Sequence, residues 1–383
     1  MARMAKIEVR EGNPLAALQG FLATLLRSGQ INALLVPQHL PMKNVVMPTL
    51  VTDPEKLDGA DPLAPVFPLN AARLVSKLTR RPIGGTVAAV LRPCEMRAFI
   101  ELVKLKQGSI DELLLIGTDC LGAYSNVDYR RFLTGPGNGA DATMRFQRNM
   151  MAGKGAAGDG FDLAPACQAC DHFIPDMADI QIGMLGVDID QQLLVRATSP
   201  RGEELLDQLN LPAATAPGER QQAVSRLLGE RENYRDQMFA DTTEATSTLE
   251  KLNAYLANCV NCYNCRVACP VCYCKECVFL TNVFDHDPDQ YLRWASRKGL
   301  IKMPTDTVFF HITRMVHMST ACVGCGQCSN ACPNNVPVME LFRTIASRTQ
   351  QAFDYEPGRS VADEPPLSVF REGEYTELTG GKD

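Results

Sequence analysis

The sequence predicts an α/β domain with parallel strands, followed by a cysteine-rich domain of the α+β class. Two observations support this prediction. Short apolar runs typical of strands alternate with amphipathic helical runs over the first 200 residues, and one cysteine spacing occurs twice between Cys259 and Cys332. The 383 residues are enough for two or three domains with cores of their own.

Apolar periodicity places helices and strands in alternation along the first region. The predicted helices cover residues 15–26, 70–78 and 95–106, and the predicted strands cover 31–36, 86–91, 112–116, 180–187 and 193–197. The strand, helix and strand between 86 and 116 have the lengths of a right-handed βαβ unit. The two strands of such a unit are parallel.

The remainder of the chain divides by composition. Residues 135–160 are rich in Gly, Asp and Ala, which predicts a long surface loop or a lid. Residues 203–232 predict a polar helical bridge, interrupted near 212–218, and the polar residues after about 348 predict an extended tail that packs on a partner. The predicted domains are therefore 1–200, a bridge at 201–250, a cysteine-rich domain at 251–345 with helices over 289–297 and 309–318, and a tail at 346–383.

Composition and charge exclude several classes of function. The net charge of −6 gives no indication of a nucleic-acid or anionic-membrane partner. No apolar run approaches membrane-spanning length, and the first ten residues lack the charged start and apolar core of a signal peptide. Fifteen cysteines in such a chain therefore predict metal binding in a reducing cytoplasm rather than disulfides.

Eight of these cysteines form two copies of the pattern C-x2-C-x2-C-x3-C-P, which is typical of bacterial [4Fe-4S] ferredoxins. The first three thiolates of each copy lie on a tight loop and can reach three corners of one cluster. The fourth points to the other cluster, and the proline after it turns the chain away. The predicted ligands are Cys259, Cys262, Cys265 and Cys332 for one cluster, and Cys269, Cys322, Cys325 and Cys328 for the second.

The two motifs predict a two-cluster ferredoxin-like domain with an insertion. A zinc site is the alternative, but structural zinc sites use paired CxxC or His ligands rather than runs of four cysteines. The 52 residues between the motifs are more than a compact ferredoxin needs. Three further cysteines, Cys272, Cys274 and Cys277, could bind an additional cluster, replace an assigned ligand or pack as small apolar residues.

A second set of cysteines belongs to the first region. Cys94 follows the strand at 86–91, and Cys120 follows the strand at 112–116. Because parallel strands end at the same edge of a sheet, we expect both thiols at the carboxyl edge, where α/β sheets bind ligands. Cys167 and Cys170 form a CxxC pair that could complete a third cluster site. Buried structural cysteine is the alternative for these positions.

Three segments of the first region resemble one known family. They are LRPCEMRAFIELVKL at 91–105, IGTDCLGAYSN at 116–126 and ACQACDHFIPDMADIQIGMLG at 166–186. They look like segments of the coenzyme F420 hydrogenase/dehydrogenase beta-subunit family, and the resemblance covers roughly residues 10–200. The ferredoxin-like domain is similar to that of formate dehydrogenase beta subunits in this family.

The resemblance implies cofactors and partners. It implies that Cys94, Cys120, Cys167 and Cys170 hold a [4Fe-4S] cluster beside an FAD, which gives three clusters in all. It also implies that the FAD exchanges hydride with coenzyme F420 or NAD(P) inside a larger complex, together with a catalytic dehydrogenase or hydrogenase subunit or heterodisulfide-reductase-like subunits. The sequence departs from the family at Gly12-Asn13-Pro14, where a glycine pair is usual, and at His172, which interrupts a usual Asp-Phe pair.

Two function hypotheses follow. The first is a flavin and iron–sulfur electron-transfer subunit, in which Arg92, beside Cys94, contacts the flavin phosphate or balances an anionic cluster. The second is a flavin-free adaptor that docks and connects other subunits. The chain has no GxGxxG or Walker A motif and no Ser-His-Asp triad, so we predict that the primary donor reacts on another polypeptide. His311 and His317 are predicted to be core or capping residues.

Overall fold

The computed structural model describes residues 3–41, 45–134, 139–155, 160–215 and 217–368. A seven-stranded mixed sheet has the order β1-β7-β6-β5-β4-β2-β3. Its strands are β1 (Met4–Glu8), β2 (Ala33–His39), β3 (Val46–Val51), β4 (Val87–Leu91), β5 (Leu113–Thr118), β6 (Ile180–Gly183) and β7 (Gln192–Ala197). The four central strands β2, β4, β5 and β6 are parallel, and β1, β3 and β7 run antiparallel to their neighbours. The predicted α/β class and the parallel βαβ unit are confirmed.

Fourteen α-helices accompany the sheet in the described residues. They are α1 (Pro14–Arg27), α2 (Ala72–Leu78), α3 (Pro93–Lys104), α4 (Asn126–Phe132), α5 (Gly139–Met151), α6 (Pro165–Gln168), α7 (Pro200–Leu209), α8 (Glu219–Ala245), α9 (Leu249–Tyr255), α10 (Asn264–Ala268), α11 (Pro288–Lys298), α12 (Thr307–Met318), α13 (Gln327–Asn330) and α14 (Val338–Ala352). The five helices that periodicity predicted with both ends, α1, α2, α3, α11 and α12, lie within two residues of their predicted bounds. The break between α7 and α8 also falls where it was predicted.

Local capping explains where α1 and α3 begin. The Asn13 side chain accepts a hydrogen bond of 3.0 Å from the backbone N–H of Ala16, and Pro14 occupies the first helical position. At α3 the Glu95 carboxylate accepts from the backbone N–H of Arg92 at 2.9 Å and from that of Ala71 at 2.7 Å. The residues that replace the family's glycine pair thus start a helix, and Glu95 fixes the turn that carries Cys94.

The two faces of the sheet pack against different layers. Ala88 and Val90 of β4 face the layer that contains α1 and α7, whereas Ala89 and Leu91 face α2 and α3. The cysteine-rich region joins this second core, because Phe310 of α12 and Phe342 of α14 pack in the same apolar cluster as Phe99 of α3. The cysteine-rich region therefore shares a core with the sheet rather than standing apart as a separate module.

The predicted loop at 135–160 is wrong over half of its length, because α5 occupies 139–151. Ala142, Thr143, Phe146 and Gln147 are buried on one face of α5, and Tyr124 contacts the ring of Phe146. The apolar pattern of α5 is short and stands between Gly- and Ala-rich segments, so the sequence did not indicate a helix there. Residues 135–138 and 156–159 of the predicted loop lie outside the described residues.

The α+β class predicted for the cysteine-rich domain is also wrong. From residue 217 to residue 368 the structure describes helices, short 3-10 turns and loops, and no strand. The strands of a compact ferredoxin would need alternating apolar residues beside the motifs, and this sequence places Cys-rich turns and helical segments there. Strands β1 and β3, at the edge of the sheet, were not predicted.

The tail differs from its prediction at its start. Helix α14 continues to Ala352, beyond the predicted boundary at 346. The following residues pack on α3 of the same chain, where the buried carboxylate of Glu101 accepts from the Tyr355 hydroxyl at 2.7 Å and from the Gly358 backbone N–H at 2.7 Å. Lys104 pairs with the same carboxylate at 2.8 Å. The part of the predicted tail from 369 onward lies outside the described residues.

Candidate functional site

The strands β4 and β5 end side by side and bring two cysteines to the same edge. Leu91 is paired with Gly117 in the parallel register, so both chains leave the sheet at one level. Cys94 is the second residue of α3, directly after β4, and Cys120 follows β5 by two residues. Both thiols line one cavity at the carboxyl edge, as the βαβ geometry predicted.

The CxxC pair reaches the same cavity from a different segment. Cys167 lies in α6 and Cys170 in the turn that follows it, and both line the cavity with Cys94 and Cys120. The chain around the pair is held against the residues after β5, because the Cys120 N–H donates to the Phe173 carbonyl at 2.9 Å. Gly122 permits this approach: its φ is +110°, and an added Cβ would lie 3.3 Å from the Cβ of Cys167. We call these four residues the sheet-edge quartet.

Asp119 fixes the peptide that carries Cys120. Its buried carboxylate accepts from the backbone N–H groups of Met184 and Leu185 at 2.8 and 3.0 Å. The Arg220 guanidinium binds both oxygens of the same carboxylate, at 2.6 and 2.9 Å. Asp119 thereby ties the end of β5 to the end of β6 and to α8, and so determines where Cys120 lies.

Cationic side chains surround the sheet-edge quartet. Arg92 lines the thiol cavity and donates to the carbonyls of Ala64 and Val66, each at 2.6 Å. Arg231 of α8 donates to the Leu121 carbonyl at 2.9 Å, and Arg343 of α14 pairs with Asp171 at 2.9 Å. The Nη1 atom of Arg343 is buried and has no hydrogen-bond partner among the described residues. This cationic lining suits an anionic group in the cavity.

Burial raises the pKa of three thiols of the sheet-edge quartet, those of Cys94, Cys167 and Cys170. The pKa of Cys94 is raised well above its usual value by burial and by the neighbouring Cys325, and burial with Cys120 and Cys170 raises the pKa of Cys167 to about 11. The pKa of Cys170 is also raised by burial, although Arg231 and Arg343 oppose the shift. Iron must therefore displace protons from these thiols, and the arginines favour the thiolate form that binds metal.

The structure also brings together each set of four cysteines predicted from the ferredoxin motifs. We call Cys259, Cys262, Cys265 and Cys332 the outer quartet, because Cys262 is exposed, and Cys269, Cys322, Cys325 and Cys328 the inner quartet. Burial, and then the other three thiols of the outer quartet, raise the pKa of Cys265 to about 11. In the inner quartet, burial and the other three thiols raise the pKa of Cys328 well above its usual value.

Four groups among the described residues contact the sulfur atoms of the outer quartet, and one of them is Asn261 Oδ1, which accepts from Cys259 Sγ at 3.5 Å. Arg314 Nη1 donates to Cys265 Sγ at 3.0 Å, the Val336 N–H donates to Cys332 Sγ at 3.4 Å, and His311 Nε2 lies 3.3 Å from Cys259 Sγ. The core position predicted for His311 is observed, since it is 1% exposed. Its contact with a thiol was not predicted. His317 lies in the last turn of α12.

The inner quartet adjoins the sheet edge. Cys325 lines the same cavity as the sheet-edge quartet. The loop of the second motif passes close to the CxxC segment, because an added Cβ at Gly326, with φ of +76°, would lie 2.4 Å from the Cβ of Ala166. The inner quartet thus adjoins the sheet-edge quartet through Cys325, and its Cys269 follows Cys265 of the outer quartet at the end of α10.

The three surplus cysteines lie near the ferredoxin motifs. The Cys272 N–H donates to the Cys269 carbonyl at 3.3 Å, and burial with the neighbouring Cys269 raises the pKa of Cys272 to about 11. Cys274 is exposed and Cys277 is half-buried. The three surplus cysteines therefore differ in their surroundings. Cys274 is exposed, whereas Cys272 lies beside Cys269, a predicted ligand of the inner quartet.

The donor sets fit a cluster better than a single metal ion. Four thiolates on one zinc ion, each at about 2.3 Å, would have sulfur atoms about 3.8 Å apart. Within the described ranges, no three Cys, His, Asp or Glu side chains converge closely enough to ligate one ion. Sets of four thiols beside buried guanidinium groups suit a larger anionic group such as a [4Fe-4S] cluster.

Two cavities beside the sheet-edge quartet offer cations for a diphosphate. One, of about 330 Å³, is lined by Arg97, Arg235 and Arg343, and the other, of about 160 Å³, by Arg97 and Arg359. Guanidinium groups are suited to bind phosphate oxygens in pairs. The observed site of Arg92, with its guanidinium bound to two backbone carbonyls at the thiol cavity, agrees better with balancing a cluster than with binding a phosphate.

Sequence reasoning missed Asp119, Arg231, Arg314 and Arg343. Asp119 could have been suspected, since it stands directly before Cys120 at a strand end. Arg231 contacts the carbonyl of Cys120, which is 111 residues away in the sequence. Arg343 contacts Asp171, which is 172 residues away. No local pattern marks them, because the same helices also carry exposed arginines such as Arg226 and Arg348.

Comparisons with known proteins agree with this arrangement. Residues 84–214 match the family model for the C terminus of the coenzyme F420 hydrogenase/dehydrogenase beta subunit, and residues 315–338 match a 4Fe-4S binding domain. The first match contains the whole sheet-edge quartet, and the second contains three inner-quartet cysteines and Cys332. The F420-dependent formate dehydrogenase subunit beta of Methanocaldococcus jannaschii is 25% identical over 355 residues, which cover 85% of this chain and 86% of that protein.

A second relative gives the same result. The F420-dependent formate dehydrogenase 1 subunit beta of Methanococcus maripaludis is 25% identical and covers 74% of this chain and 75% of its own length. A chain from a solved F420-reducing [NiFe] hydrogenase complex of Methanosarcina barkeri aligns at 13% identity with a TM-score of 0.45, covering 65% of this chain and 94% of that one. The predicted resemblance to the beta-subunit family is confirmed by the matched segments and the curated relatives. No helix of the described residues is long and apolar enough to cross a membrane.

Proposed function

We propose that this chain is the FAD- and iron–sulfur-containing electron-transfer subunit of an F420-linked formate dehydrogenase or hydrogenase complex. The single observation that carries the proposal is the sheet-edge cavity. There Cys94, Cys120, Cys167 and Cys170 converge from three segments, and Cys325 of the inner quartet lines the same space. The similarity to two F420-dependent formate dehydrogenase beta subunits supports the choice of complex.

The residues of the chain would hold three [4Fe-4S] clusters, one in each quartet. When bound, the clusters supply one-electron transfer along the series of quartets, and FAD supplies hydride exchange with a two-electron carrier. The chain's own contribution is to position and charge-balance these groups. Arg92, Arg231 and Arg343 line the sheet-edge cavity, Asp119 fixes the position of Cys120, and α12 and α14 pack over the inner and outer quartets.

The exposed surface of the outer quartet supports the partner in this proposal. Cys262 is exposed, and the flanking Val260 and Val267 are 55% and 59% exposed. Of the 19 large apolar side chains exposed among the described residues, 13 lie between Leu249 and Val316. Apolar surface concentrated around the outermost thiols is suited to a contact with a catalytic dehydrogenase or hydrogenase subunit.

Iron and flavin analysis of the anoxically purified chain tests the proposal. We expect about twelve irons with matching acid-labile sulfide, and extractable FAD in stoichiometric amount. About eight irons in the intact protein would contradict the presence of a cluster at the sheet edge. Stoichiometric zinc would contradict the iron–sulfur assignment. Reduction of the bound flavin by reduced coenzyme F420 but not by NADH would identify the carrier.

The flavin-free adaptor is the second candidate function. It is favoured by one observation: Asn13 and Pro14 cap α1, at the position where family members often have a glycine pair. Under this alternative the chain contains about twelve irons and no FAD. Extraction that returns no flavin from protein with full iron content would therefore replace the first proposal by the second.

A further inference from the structure

Arg314 is buried against the outer quartet, and none of the described residues offers it a carboxylate partner. Its side chain comes from α12 and is 4% exposed. No Asp or Glu among the residues that the structure describes forms an ion pair with it. Its charge is instead directed to sulfur and backbone, because Nη1 donates to Cys265 Sγ at 3.0 Å and Nη2 to the Cys265 carbonyl at 3.2 Å.

The guanidinium is held in this place by packing. It lies over two aromatic rings, with its central carbon 5.4 Å from the ring centroid of Phe310 and 4.7 Å from that of Phe342. Its Nε is buried without a hydrogen-bond partner within the described ranges. A buried and uncompensated cation is strongly destabilising unless an anionic group lies nearby.

Both neighbouring quartets supply such a group. Cys265 belongs to the outer quartet, and Arg314 is bonded both to its sulfur and to its backbone carbonyl. Cys269 follows Cys265 by four residues at the end of α10, so this helix carries one ligand of each quartet. Arg314 is therefore bonded to the short helix that links the two quartets.

We infer that Arg314 is a shared positioning residue that raises the reduction potentials of the clusters in both the outer and the inner quartet. The inference rests on the proposed function, because it requires clusters at both places. A fixed positive charge stabilises the more negative, reduced cluster, and hydrogen bonds to ligand sulfur act in the same direction. The effect is larger at the outer quartet, which receives both the charge and a direct N–H to sulfur bond.

The test is a redox titration of the iron signals by electron paramagnetic resonance in the full chain. In Arg314→Gln we expect both potentials to become more negative, with the larger shift at the outer quartet. In Arg314→Lys the charge remains but the fork of donors is lost, so the outer potential should fall and the inner potential should stay near its wild-type value. Arg297→Gln, at an exposed cation of α11, should change neither.

The outcomes separate this inference from the proposed function. A wild-type chain without clusters in these two quartets would overturn the proposed function and the inference together. If the wild type has these clusters and their potentials are the same in Arg314→Gln, the inference alone is overturned. A shift in Arg314→Gln that is confined to the outer quartet would also overturn it. If Arg314→Gln does not assemble clusters, the test rests on Arg314→Lys. Potentials equal to those of the wild type at both quartets in Arg314→Lys would then overturn the inference. A purely structural role would lower iron content and leave the potentials of the remaining clusters unchanged.

Discussion

The sheet-edge quartet and the two ferredoxin quartets are built in different ways. Cys94, Cys120 and the CxxC pair come from three segments that only the folded sheet brings together, and Asp119 fixes one of them through β6 and α8. The outer and inner quartets come from two short motifs, each confined to 14 residues or fewer of the chain. Strand pairing therefore organises the first site, whereas metal bonds are expected to organise the other two.

The two kinds of site are nevertheless joined by one core. Phe310 and Phe342 belong to the same apolar cluster as Phe99 of α3, and Tyr355 and Gly358 bind the buried carboxylate of Glu101 in the same helix. The helix that carries Cys94 is thus also the surface on which the cysteine-rich region rests. The difference in construction predicts different responses to loss of metal and to single substitutions.

Removal of iron should have the largest effect, and this effect should be confined to the region of the two ferredoxin quartets. We expect chelation under anoxic, reducing conditions to abolish amide-exchange protection in α10 and α13, because their loops lack a sufficient apolar core of their own. The strands β4 and β5 should keep their protection, since their pairing needs no metal. Hydrogen-exchange mass spectrometry measures both, and equal loss of protection in β4 and β5 would contradict the distinction.

The variant Cys262→Ala should damage more than one cluster. Cys262 is the middle ligand of the first motif, and loss of its bond loosens a region that depends on metal for its fold. We expect loss of more than about four irons and a lower melting temperature. Cys274→Ala, which removes another exposed thiol outside the three quartets, is the control. Full iron content and an unchanged melting temperature in Cys262→Ala would show that this ligand has no such role.

The variant Asp119→Asn should affect only the sheet-edge quartet. It breaks the buried pair with Arg220 and should destabilise the fold by about 3 kcal/mol, while the position of Cys120 becomes less well defined. We expect occupancy of the sheet-edge site to fall while the inner and outer signals persist in electron paramagnetic resonance. Asp190→Asn, at a half-exposed pair with Arg148, serves as the control. Equal loss of all three signals would show that Asp119 acts on the whole fold.

The variant Gly326→Ala tests the contact between the two kinds of site, with the smallest expected effect on stability. The positive φ and the close approach to Ala166 should together cost about 2 kcal/mol. Gly299→Ala has a similar φ of +81° but no neighbouring atom within 4 Å, so it isolates the backbone strain. We expect only Gly326→Ala to alter the signals of the inner and sheet-edge quartets. Identical spectra in the two variants would remove the argument for close contact.

Much of this arrangement could be predicted from local sequence. Alternating apolar runs located β4, α3 and β5, and because parallel strands end at one edge, they also located Cys94 and Cys120. The two motifs divided eight cysteines into the sets that the structure brings together. These features depend on periodicity and spacing within a few dozen residues, which a single sequence displays directly.

The remainder depends on contacts between distant segments. Arg231 and Arg343 reach the sheet-edge cavity from α8 and α14, and their neighbours in the sequence give no indication of it. The tail binds α3 through Tyr355 and Gly358, whereas its polar composition predicted an extended arm. Helix α5 has an apolar face too short to stand out beside glycine-rich flanks. In each case tertiary packing, which single-sequence reasoning does not contain, determined the outcome.

The central claim is that the sheet-edge quartet connects a flavin in the sheet domain to the inner and outer quartets. The most direct measurement mixes reduced coenzyme F420 with the wild-type chain and with Cys94→Ala. Flavin bleaching is followed by stopped flow, and reduction of the inner and outer clusters by rapid-freeze electron paramagnetic resonance. The account predicts that flavin is bound and bleaches in both proteins, but that the inner and outer signals appear only in the wild type. Appearance of those signals in Cys94→Ala at the wild-type rate would contradict it.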